Sequence, residues 1–210
     1  NIKLYDVFTG FKWIATVMRE NEGKARYLGG GEESYGFLAE DFVRDKDSVS
    51  AISLMAEIAA WAKEKGLDMN AMLIDIYMTY GYSKEKGVSL VRKGKSGAEE
   101  IQAIMKQFRE NPPKSIAGSP VVTVKDFATL EQKNIAAGTV EKLVMPTTSN
   151  VLQYYTEEGT KISIRPSGTE PKIKFYIEVH GTLESAEKYD ETNAAAEAKI
   201  AQICKELGID

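Results

Sequence analysis

The segment KIKFYIEV, residues 172–179, alternates between apolar side chains and side chains that carry a charge or a hydroxyl. Ile173, Phe175, Ile177 and Val179 fall on one side of an extended chain, and the residues between them fall on the other. A period of two predicts a β-strand with one buried face. This part of the chain is therefore expected to lie at the centre of a sheet.

Strand patterns precede this segment, and a helical pattern follows it. Residues 121–124 are typical of a strand, and residues 151–156 and 160–165 flank Glu157-Glu158-Gly159, a hairpin signal. Residues 182–207 have central alanines and a spaced apolar stripe, which predict a helix. Strands followed by a helix predict a small α+β domain over residues 121–210.

The first half of the chain alternates between helical and strand patterns, which predicts an α/β domain over residues 1–113. Residues 49–65 are apolar nearly all the way round, so the helix they predict is expected to be buried between layers. Residues 114–120, within the segment PPKSIAGSP, are expected to form the linker to the second domain.

Composition excludes several classes of protein. Of 210 residues 43% are hydrophobic and 28% charged, which excludes a disordered chain, and a net charge of −4 argues against binding to nucleic acid or to an anionic membrane surface. The single cysteine, Cys204, excludes an intramolecular disulfide and favours a reducing, cytoplasmic location. No apolar run is long enough to span a membrane. Because the chain begins at Asn1 rather than Met, we expect a piece of a larger protein.

The sharpest candidate site is the segment RPSGTEPKIK, residues 165–174, between two predicted strands. A phosphate dianion needs a forked cation, hydroxyl donors and converging N–H groups. Arg165 offers the cation, Ser167 and Thr169 the hydroxyls, and Gly168 a positive φ that would let N–H groups form a nest; Lys174 adds charge nearby. The alternative is a hairpin turn beside a solvated lysine face.

A second candidate is the segment GGGEESYG, residues 29–36, after a short predicted strand at 25–28. The carboxylates of Glu32 and Glu33 and the hydroxyl of Ser34, held between glycines, can accept from and donate to neighbouring hydroxyls of a sugar. Lys46, within the charge run 44–47, adds a cation. The alternative is an exposed acidic turn followed by a solvated loop.

A third candidate lies at the start of a predicted helix, where Thr9, Gly10 and Lys12 could meet an anion. The alternative reading is helix capping by Thr9 alone.

These motifs together resemble the α-D-phosphohexomutases, the phosphoglucomutase/phosphomannomutase family. RPSGTEPKIKFY (165–176) resembles the phosphate-binding loop of the family's last domain, and GEESYG (31–36) resembles the sugar-binding loop of its third domain. TGFKW (9–13), VRDKD (43–47) and the stretch from KGKSGAEEI to NPP (93–113) also match in the expected order. The resemblance covers nearly the whole chain.

The resemblance implies roles for individual residues. Substrate phosphate would contact Arg165, Ser167, Gly168 and Thr169, with Lys174 nearby. Glu32 and Ser34 would bind the sugar hydroxyls, Lys46 would help to hold the ligand, and Thr9, Gly10 and Lys12 would belong to a loop facing the cleft. The resemblance also implies a mixed sheet with helices on its faces, lacking its first strand and helix, followed by an antiparallel sheet with helices on one face, similar to the TATA-box-binding protein.

The sequence departs from the family in what it lacks. Family members transfer a phosphoryl group from a phosphoserine in a T-A-S-H-N-P loop and bind Mg²⁺ through a D-G-D-x-D-R loop, and neither pattern occurs here. The resemblance therefore implies an inactive carboxy-terminal fragment, with Mg²⁺ bound by the missing amino-terminal domains and glucose 1,6-bisphosphate as the intermediate and activator of the whole enzyme. The expected ligand is a hexose phosphate. The alternatives are a stand-alone, non-catalytic sugar-phosphate-binding module and a phosphopentomutase-type relative.

Overall fold

A computed structural model describes residues 2–92, 94–168 and 170–209, which divide into two units. The first unit ends at Met72 and the second begins at Leu73.

The first unit is mainly helical. Its elements are helix α1 (Phe11–Glu20), the two-residue strands β1 (Gly30–Gly31) and β2 (Phe37–Leu38), helix α2 (Ser48–Glu64) and the start of helix α3 (Met69–Tyr80). Strands β1 and β2 pair antiparallel, with Gly31 opposite Phe37. Phe11, Met18 and Leu38 form the buried cluster of this unit, and the cluster lies between α1 and the two strands.

Helix α2 is not buried between layers, and that prediction is wrong. Val49 is 72% exposed, Ile52 69% and Met55 51%, whereas Ala62 is buried. The physical reason is that strands β1 and β2 contribute two residues each, so the described part of this unit has no sheet wide enough to cover a helix of 17 residues.

The second unit is built on an antiparallel sheet. Its strands are β3 (Tyr82–Val91), β4 (Ser115–Ile116), β5 (Ser119–Asp126), β6 (Glu131–Asn134), β7 (Thr139–Lys142), β8 (Leu152–Thr156), β9 (Lys161–Pro166) and β10 (Lys172–Gly181). Among the described residues they lie in the order β3-β10-β9-β8-β5-β6-β7, and β4 pairs with β5. The predicted hairpin and the alternating strand are thus confirmed as β8, β9 and β10.

Helices α4 (Gly94–Glu110) and α5 (Tyr189–Leu207) contribute to the core of this unit. Ile164, Ile173 and Phe175 are fully buried on the core face of β9 and β10, where they pack with side chains of both helices such as Met105 and Ile203. The alternation of apolar and polar residues in the sequence therefore identifies the face of the sheet that the helices cover. The mixed α/β class with an antiparallel sheet is confirmed, whereas the similarity to the TATA-box-binding protein stays a prediction.

The structure divides the chain earlier than the sequence suggested. The expected linker, residues 114–120, contains β4 and the start of β5, and Ile116 and Ser119 within it are buried. β3 and α4 belong to the second unit, because β3 pairs with β10 along its whole length. The boundary of 113 for the first domain is therefore replaced by the division after Met72.

A polar cluster connects α4 to β5. Arg109 donates from Nε to Oδ2 of Asp126 at 2.7 Å and from Nη2 to the side-chain oxygen of Asn150 at 2.8 Å. Asp126 is buried, and its carboxylate needs this partner to offset the loss of hydration.

Candidate functional site

The loop between β1 and β2 is a tight turn that carries the GEESYG segment. The N–H of Glu32 donates to the carbonyl of Gly36 at 2.8 Å, which continues the ladder of β1 and β2 by one bond. Tyr35 has φ 68°, in the left-handed region that favours glycine. Ser34 and Tyr35 thereby lie at the exposed tip of the turn.

The structure brings together Glu32 and Lys46, two of the predicted site residues. Lys46 Nζ lies 3.9 Å from Oε2 of Glu32 and 3.0 Å from Oδ1 of Asp45. The hydrogen bond to Asp45 raises the pKa of Lys46, and the attraction of the Asp45 and Glu32 carboxylates adds to that rise. Lys46 is thus held as a cation beside two carboxylates.

Gly36 makes this approach of Glu32 and Lys46 possible. A Cβ at position 36 would lie 2.6 Å from Cδ of Lys46 and 2.8 Å from Oε2 of Glu32, both closer than van der Waals contact. The lysine stem and the glutamate carboxylate therefore pack directly over the glycine backbone.

The charge run 44–47 is more than a solvated loop. Asp47 caps α2 by accepting hydrogen bonds from the N–H groups of Val49 and Ser50, and its own N–H donates to Phe37 of β2 at 3.3 Å. Lys46 Nζ also lies 5.7 Å from the centre of the buried Phe11 ring. The segment is therefore anchored on α1, β2 and α2, which fixes the position of Lys46.

An open cleft of about 410 Å³ lies beside this loop within the first unit. Ser34, Tyr35, Gly36 and Lys46 line it from the loop and the charge run, and apolar residues of α2 such as Ile52 line it from the other side. Ser34 and Lys46, both predicted from the sequence, thus share one cavity.

Thr9, Gly10 and Lys12 are not among the residues that line this cleft. The N-cap of α1 is Gly10, at φ 114°, and its carbonyl accepts from the N–H of Trp13 at 3.0 Å. Capping by Thr9 is therefore corrected: Thr9 precedes the cap by one residue, and the helix has no side-chain cap. Lys12 Nζ instead lies 5.1 Å from the ring of Trp13.

The candidate phosphate loop joins β9 to β10 in the second unit. Arg165 and Lys174 lie directly opposite each other in the two strands, on the face away from the buried Ile164 and Ile173. Both side chains are half-buried, and within the described part of the chain neither forms an ion pair. Two cations are thus held side by side at the base of the turn, and the charge of Lys174 contributes to lowering the pKa of the nearby Glu170 carboxyl.

The turn itself is closed by internal hydrogen bonds. The N–H of Ser167 donates to the carbonyl of Lys172 at 2.7 Å, and the N–H of Glu170 donates to Oγ of Ser167 at 3.3 Å. Lys172 Nζ lies 2.8 Å from Oε2 of Glu170, and this contact lowers the pKa of the Glu170 carboxyl.

The expected nest of N–H groups is therefore corrected. Gly168 does not have a positive φ, and the N–H groups of Ser167 and Glu170 are used within the turn, because the ladder of β9 and β10 continues one pair beyond Pro166. Thr169 lies outside the described residues, as does Lys93 of the KGKSGAEEI motif.

The sequence did not reveal that β3 supports this turn. The N–H of Arg92, which follows the last residue of β3, donates to the carbonyl of Pro171 at 2.9 Å. Gly97 of α4 packs against Arg92 so closely that a Cβ would lie 2.6 Å from the Arg92 carbonyl. The segment from Lys84 to Lys95 contains most of β3 and the start of α4, and its many lysines are also typical of a solvated surface stretch.

The described residues contain no cluster of His, Cys, Asp and Glu suited to a metal ion. None of their helices is long and apolar enough to cross a membrane.

Two family models match this chain and together cover most of it. “Phosphoglucomutase/phosphomannomutase, alpha/beta/alpha domain III” matches residues 1–80, and “Phosphoglucomutase/phosphomannomutase, C-terminal domain” matches residues 85–196. The first match ends eight residues after Met72, and the second begins twelve residues after Leu73.

Curated relatives of this chain are named phosphoglucomutase. A phosphoglucomutase of Staphylococcus haemolyticus is 37% identical over 179 residues, which is 85% of this chain and 32% of the relative. A phosphoglucomutase of Staphylococcus aureus is 40% identical over 177 residues, again 32% of its length. The chain thus spans about a third of the length of the curated relatives it matches.

A solved structure has a similar fold. The crystal structure of the exocytosis-sensitive phosphoprotein pp63/parafusin, a phosphoglucomutase from Paramecium in its open form, covers 99% of this chain with a TM-score of 0.58 and 18% identity. The matched region is 34% of that protein, and a sequence identity of 18% supports a similar fold only.

Proposed function

This chain belongs to the phosphoglucomutase/phosphomannomutase family, and from that premise we propose that it is the sugar- and phosphate-binding portion of a phosphohexomutase. The whole enzyme would interconvert hexose 1-phosphate and hexose 6-phosphate through a phosphoserine and a bisphosphorylated sugar. The family models over residues 1–80 and 85–196 support the assignment to the third and fourth domains.

The observation that carries the proposal is the pair of cations at the base of the β9–β10 turn. Arg165 and Lys174 are held opposite each other on two strands whose other faces are buried, so their backbones cannot move apart without disrupting the core. A guanidinium binds a phosphate with two parallel N–H donors, and the neighbouring ammonium adds attraction for a dianion.

Phosphate binding at the backbone of the turn would change one of its internal contacts. Ser167, Gly168 and Thr169 are the proposed additional phosphate contacts, and the Ser167 hydroxyl accepts from the Glu170 N–H in this structure. A phosphate that accepts from this N–H would replace that bond, whereas a phosphate that accepts from the hydroxyl would leave its oxygen able to keep it. Glu170 is exposed and paired with Lys172, so its negative charge is partly offset.

The sugar is proposed to bind at the loop of the first unit. Glu32 can accept hydrogen bonds from two hydroxyls, Ser34 can donate and accept, and Lys46 can donate from the same cavity. The carboxylate of Glu32 is directed by Lys46 and by the backbone of Gly36, so it is already positioned before a ligand arrives.

Phosphoryl transfer depends mostly on positioning and on neutralising the charge of the transferred group. In our proposal these residues bind and orient the substrate, while the phosphoserine and the Mg²⁺ ligands belong to other parts of the enzyme. The described residues do not fit a metal site, so no step of the reaction is assigned to a metal in this chain. A loop that recognises the charge of a phosphate accepts either phosphate of glucose 1,6-bisphosphate.

We also propose a cytoplasmic location, because the lone buried Cys204 has no disulfide partner.

The test is turnover of glucose 1-phosphate with Mg²⁺ and glucose 1,6-bisphosphate. We expect no turnover by this chain and turnover by the longer polypeptide encoded in its reading frame. Turnover by this chain alone would contradict the proposed division of roles. A reading frame without a serine loop and an aspartate loop would instead favour a stand-alone sugar-phosphate-binding module.

A further inference from the structure

Tyr35 has the most exposed side chain among the large apolar and aromatic residues of the described chain. It is 100% exposed at the tip of the GEESYG turn. Exposure of a whole aromatic ring to water is unfavourable, and the fold gains nothing from this side chain in return.

The backbone of Tyr35 adds a second cost. Tyr35, Ala117 and Leu130 are the non-glycine residues with positive φ in the described chain, at 68°, 48° and 57°. Ala117 packs against the core, its N–H donates to Glu206, and the carbonyl of Leu130 accepts from Leu143. At those two positions packing or hydrogen bonds offset the strain, whereas the Tyr35 side chain is fully exposed. Strain without local compensation is characteristic of positions that serve a ligand.

The position of Tyr35 indicates which ligand surface it would meet. It lines the cleft of about 410 Å³ together with Ser34 and Lys46, opposite the exposed apolar side chains of Ile52 and Met55 on α2. A pyranose has hydroxyls around its edge and an apolar C–H surface on each face. The cleft offers polar groups for the edge and apolar side chains for a face.

From these observations we propose that Tyr35 is a substrate-contacting residue whose ring packs against the C–H face of the hexose. The inference rests on the proposed function, since it assumes that a sugar phosphate is the ligand of this cleft. Glu32, Ser34 and Lys46 then bind the hydroxyls, and Tyr35 excludes water from the face that they leave uncovered. The phenol hydroxyl of Tyr35 is not needed for this contact between the ring and the sugar.

The test compares Tyr35→Gly, Tyr35→Phe and Glu32→Ala by NMR titration of the whole chain with glucose 6-phosphate and with inorganic phosphate. We expect Tyr35→Gly to weaken glucose 6-phosphate binding about three- to tenfold, the range for loss of one aromatic contact. Inorganic phosphate should bind unchanged, and Tyr35→Phe should behave like the wild type. Leu4→Gly, which removes another exposed apolar side chain of the first unit away from the cleft, is the matched control.

Thermal unfolding without ligand separates binding from folding. Glycine relieves the positive φ, so Tyr35→Gly should unfold at the same temperature as the wild type or higher. A lower unfolding temperature of Tyr35→Gly would show that the ring has a structural role. If Tyr35→Gly weakened binding of inorganic phosphate as much as binding of glucose 6-phosphate, the ring would not recognise the sugar. Either result overturns the inference. If Tyr35→Gly binds glucose 6-phosphate normally while Glu32→Ala does not, the inference fails and the proposed function stands. If the wild-type chain binds no glucose 6-phosphate, both fail.

Discussion

The two units hold their candidate loops in different ways. In the second unit, Arg165 and Lys174 stand on strands whose alternate residues, such as Ile164 and Phe175, are completely buried. In the first unit, the loop around Glu32 depends on charges and on the close packing of Gly36. The candidate phosphate loop is therefore supported by a hydrophobic core, whereas the candidate sugar loop is a local polar network on a smaller one.

The size of the two cores explains this difference. The buried cluster of the first unit consists of Phe11, Met18 and Leu38, while that of the second unit takes in side chains from several strands and from α4 and α5. Burial of apolar area is the main source of stability, so the second unit should be much the more stable. The exposed apolar residues of α2 add nothing to the stability of the first unit.

The largest expected effect is on the core of the second unit. Phe175 is fully buried and its ring lies 5.7 Å from that of Phe108. Phe175→Ala should lower the free energy of unfolding by about 3–5 kcal/mol. The matched change Ile52→Ala, at a residue of α2 that is 69% exposed, should cost less than about 0.5 kcal/mol.

Urea unfolding can assign these effects to the right unit. Both tryptophans, Trp13 and Trp61, lie in the first unit, so their fluorescence reports on it, whereas circular dichroism reports on both units. Phe175→Ala should shift the later transition seen by circular dichroism and leave the fluorescence midpoint in place. A fluorescence midpoint that moves equally would show that the two units unfold as one.

The sequence predicts the second unit well, because one face of its central strands is in contact with solvent and the other is buried. Residues 172–179 alternate cleanly for this reason, and β10 runs from Lys172 to Gly181 as expected. β3 was missed, since among its residues only Tyr82, Val88 and Leu90 mark the buried side of an edge strand. Residues 114–120 were read as a linker because proline, glycine and serine are as frequent in a tight connection as in a flexible one.

In the first unit, the sequence named candidate residues that lie close together in the structure, whereas its prediction for α2 was wrong. Glu32, Ser34 and Lys46 could be named from their chemistry, and the structure places Lys46 beside Glu32 and beside Ser34 in the cleft. The role of Gly36 could not be read from the sequence, because a glycine needed for close packing looks the same as one needed for a turn. The burial of α2 could not be predicted either, since hydrophobicity does not say whether a covering layer is present.

A smaller effect compares the glycines of the two loops. Gly36→Ala places a methyl group against Lys46 and Glu32, whose side chains must move, while Gly168→Ala meets nothing within 4 Å. Gly36→Ala should weaken glucose 6-phosphate binding about tenfold, the loss of one charge-assisted contact. Without ligand, Gly36→Ala should shift the NMR signals of both side chains, and Gly168→Ala should leave its own loop unchanged. Equal binding by Gly36→Ala and the wild type would contradict the role of this network.

The smallest effect is the pH dependence of the first unit. The N–H groups of Ser50 and Val49 lower the pKa of Asp47 below its ordinary value of 3.8. A lowered pKa stabilises the folded state above the ordinary value, and this contribution is lost as the pH falls through the folded pKa. The midpoint temperature of thermal unfolding, followed by tryptophan fluorescence, should therefore fall between about pH 5 and pH 3. We expect it to fall by a few degrees more in the wild type than in Asp47→Asn, because asparagine caps the helix without a titrating group. Parallel curves for the two proteins would contradict the capping role of the carboxylate.

The central proposal is that the β9–β10 turn binds phosphate and the GEESYG loop binds sugar hydroxyls, and calorimetry of two variants with two ligands tests it most directly. Arg165→Ala should weaken binding of both inorganic phosphate and glucose 6-phosphate by about 10- to 100-fold, through loss of a charged donor pair. Glu32→Ala should weaken binding of glucose 6-phosphate and leave inorganic phosphate unchanged. The claim is contradicted if Arg165→Ala binds both ligands as tightly as the wild type, or if Glu32→Ala loses both equally.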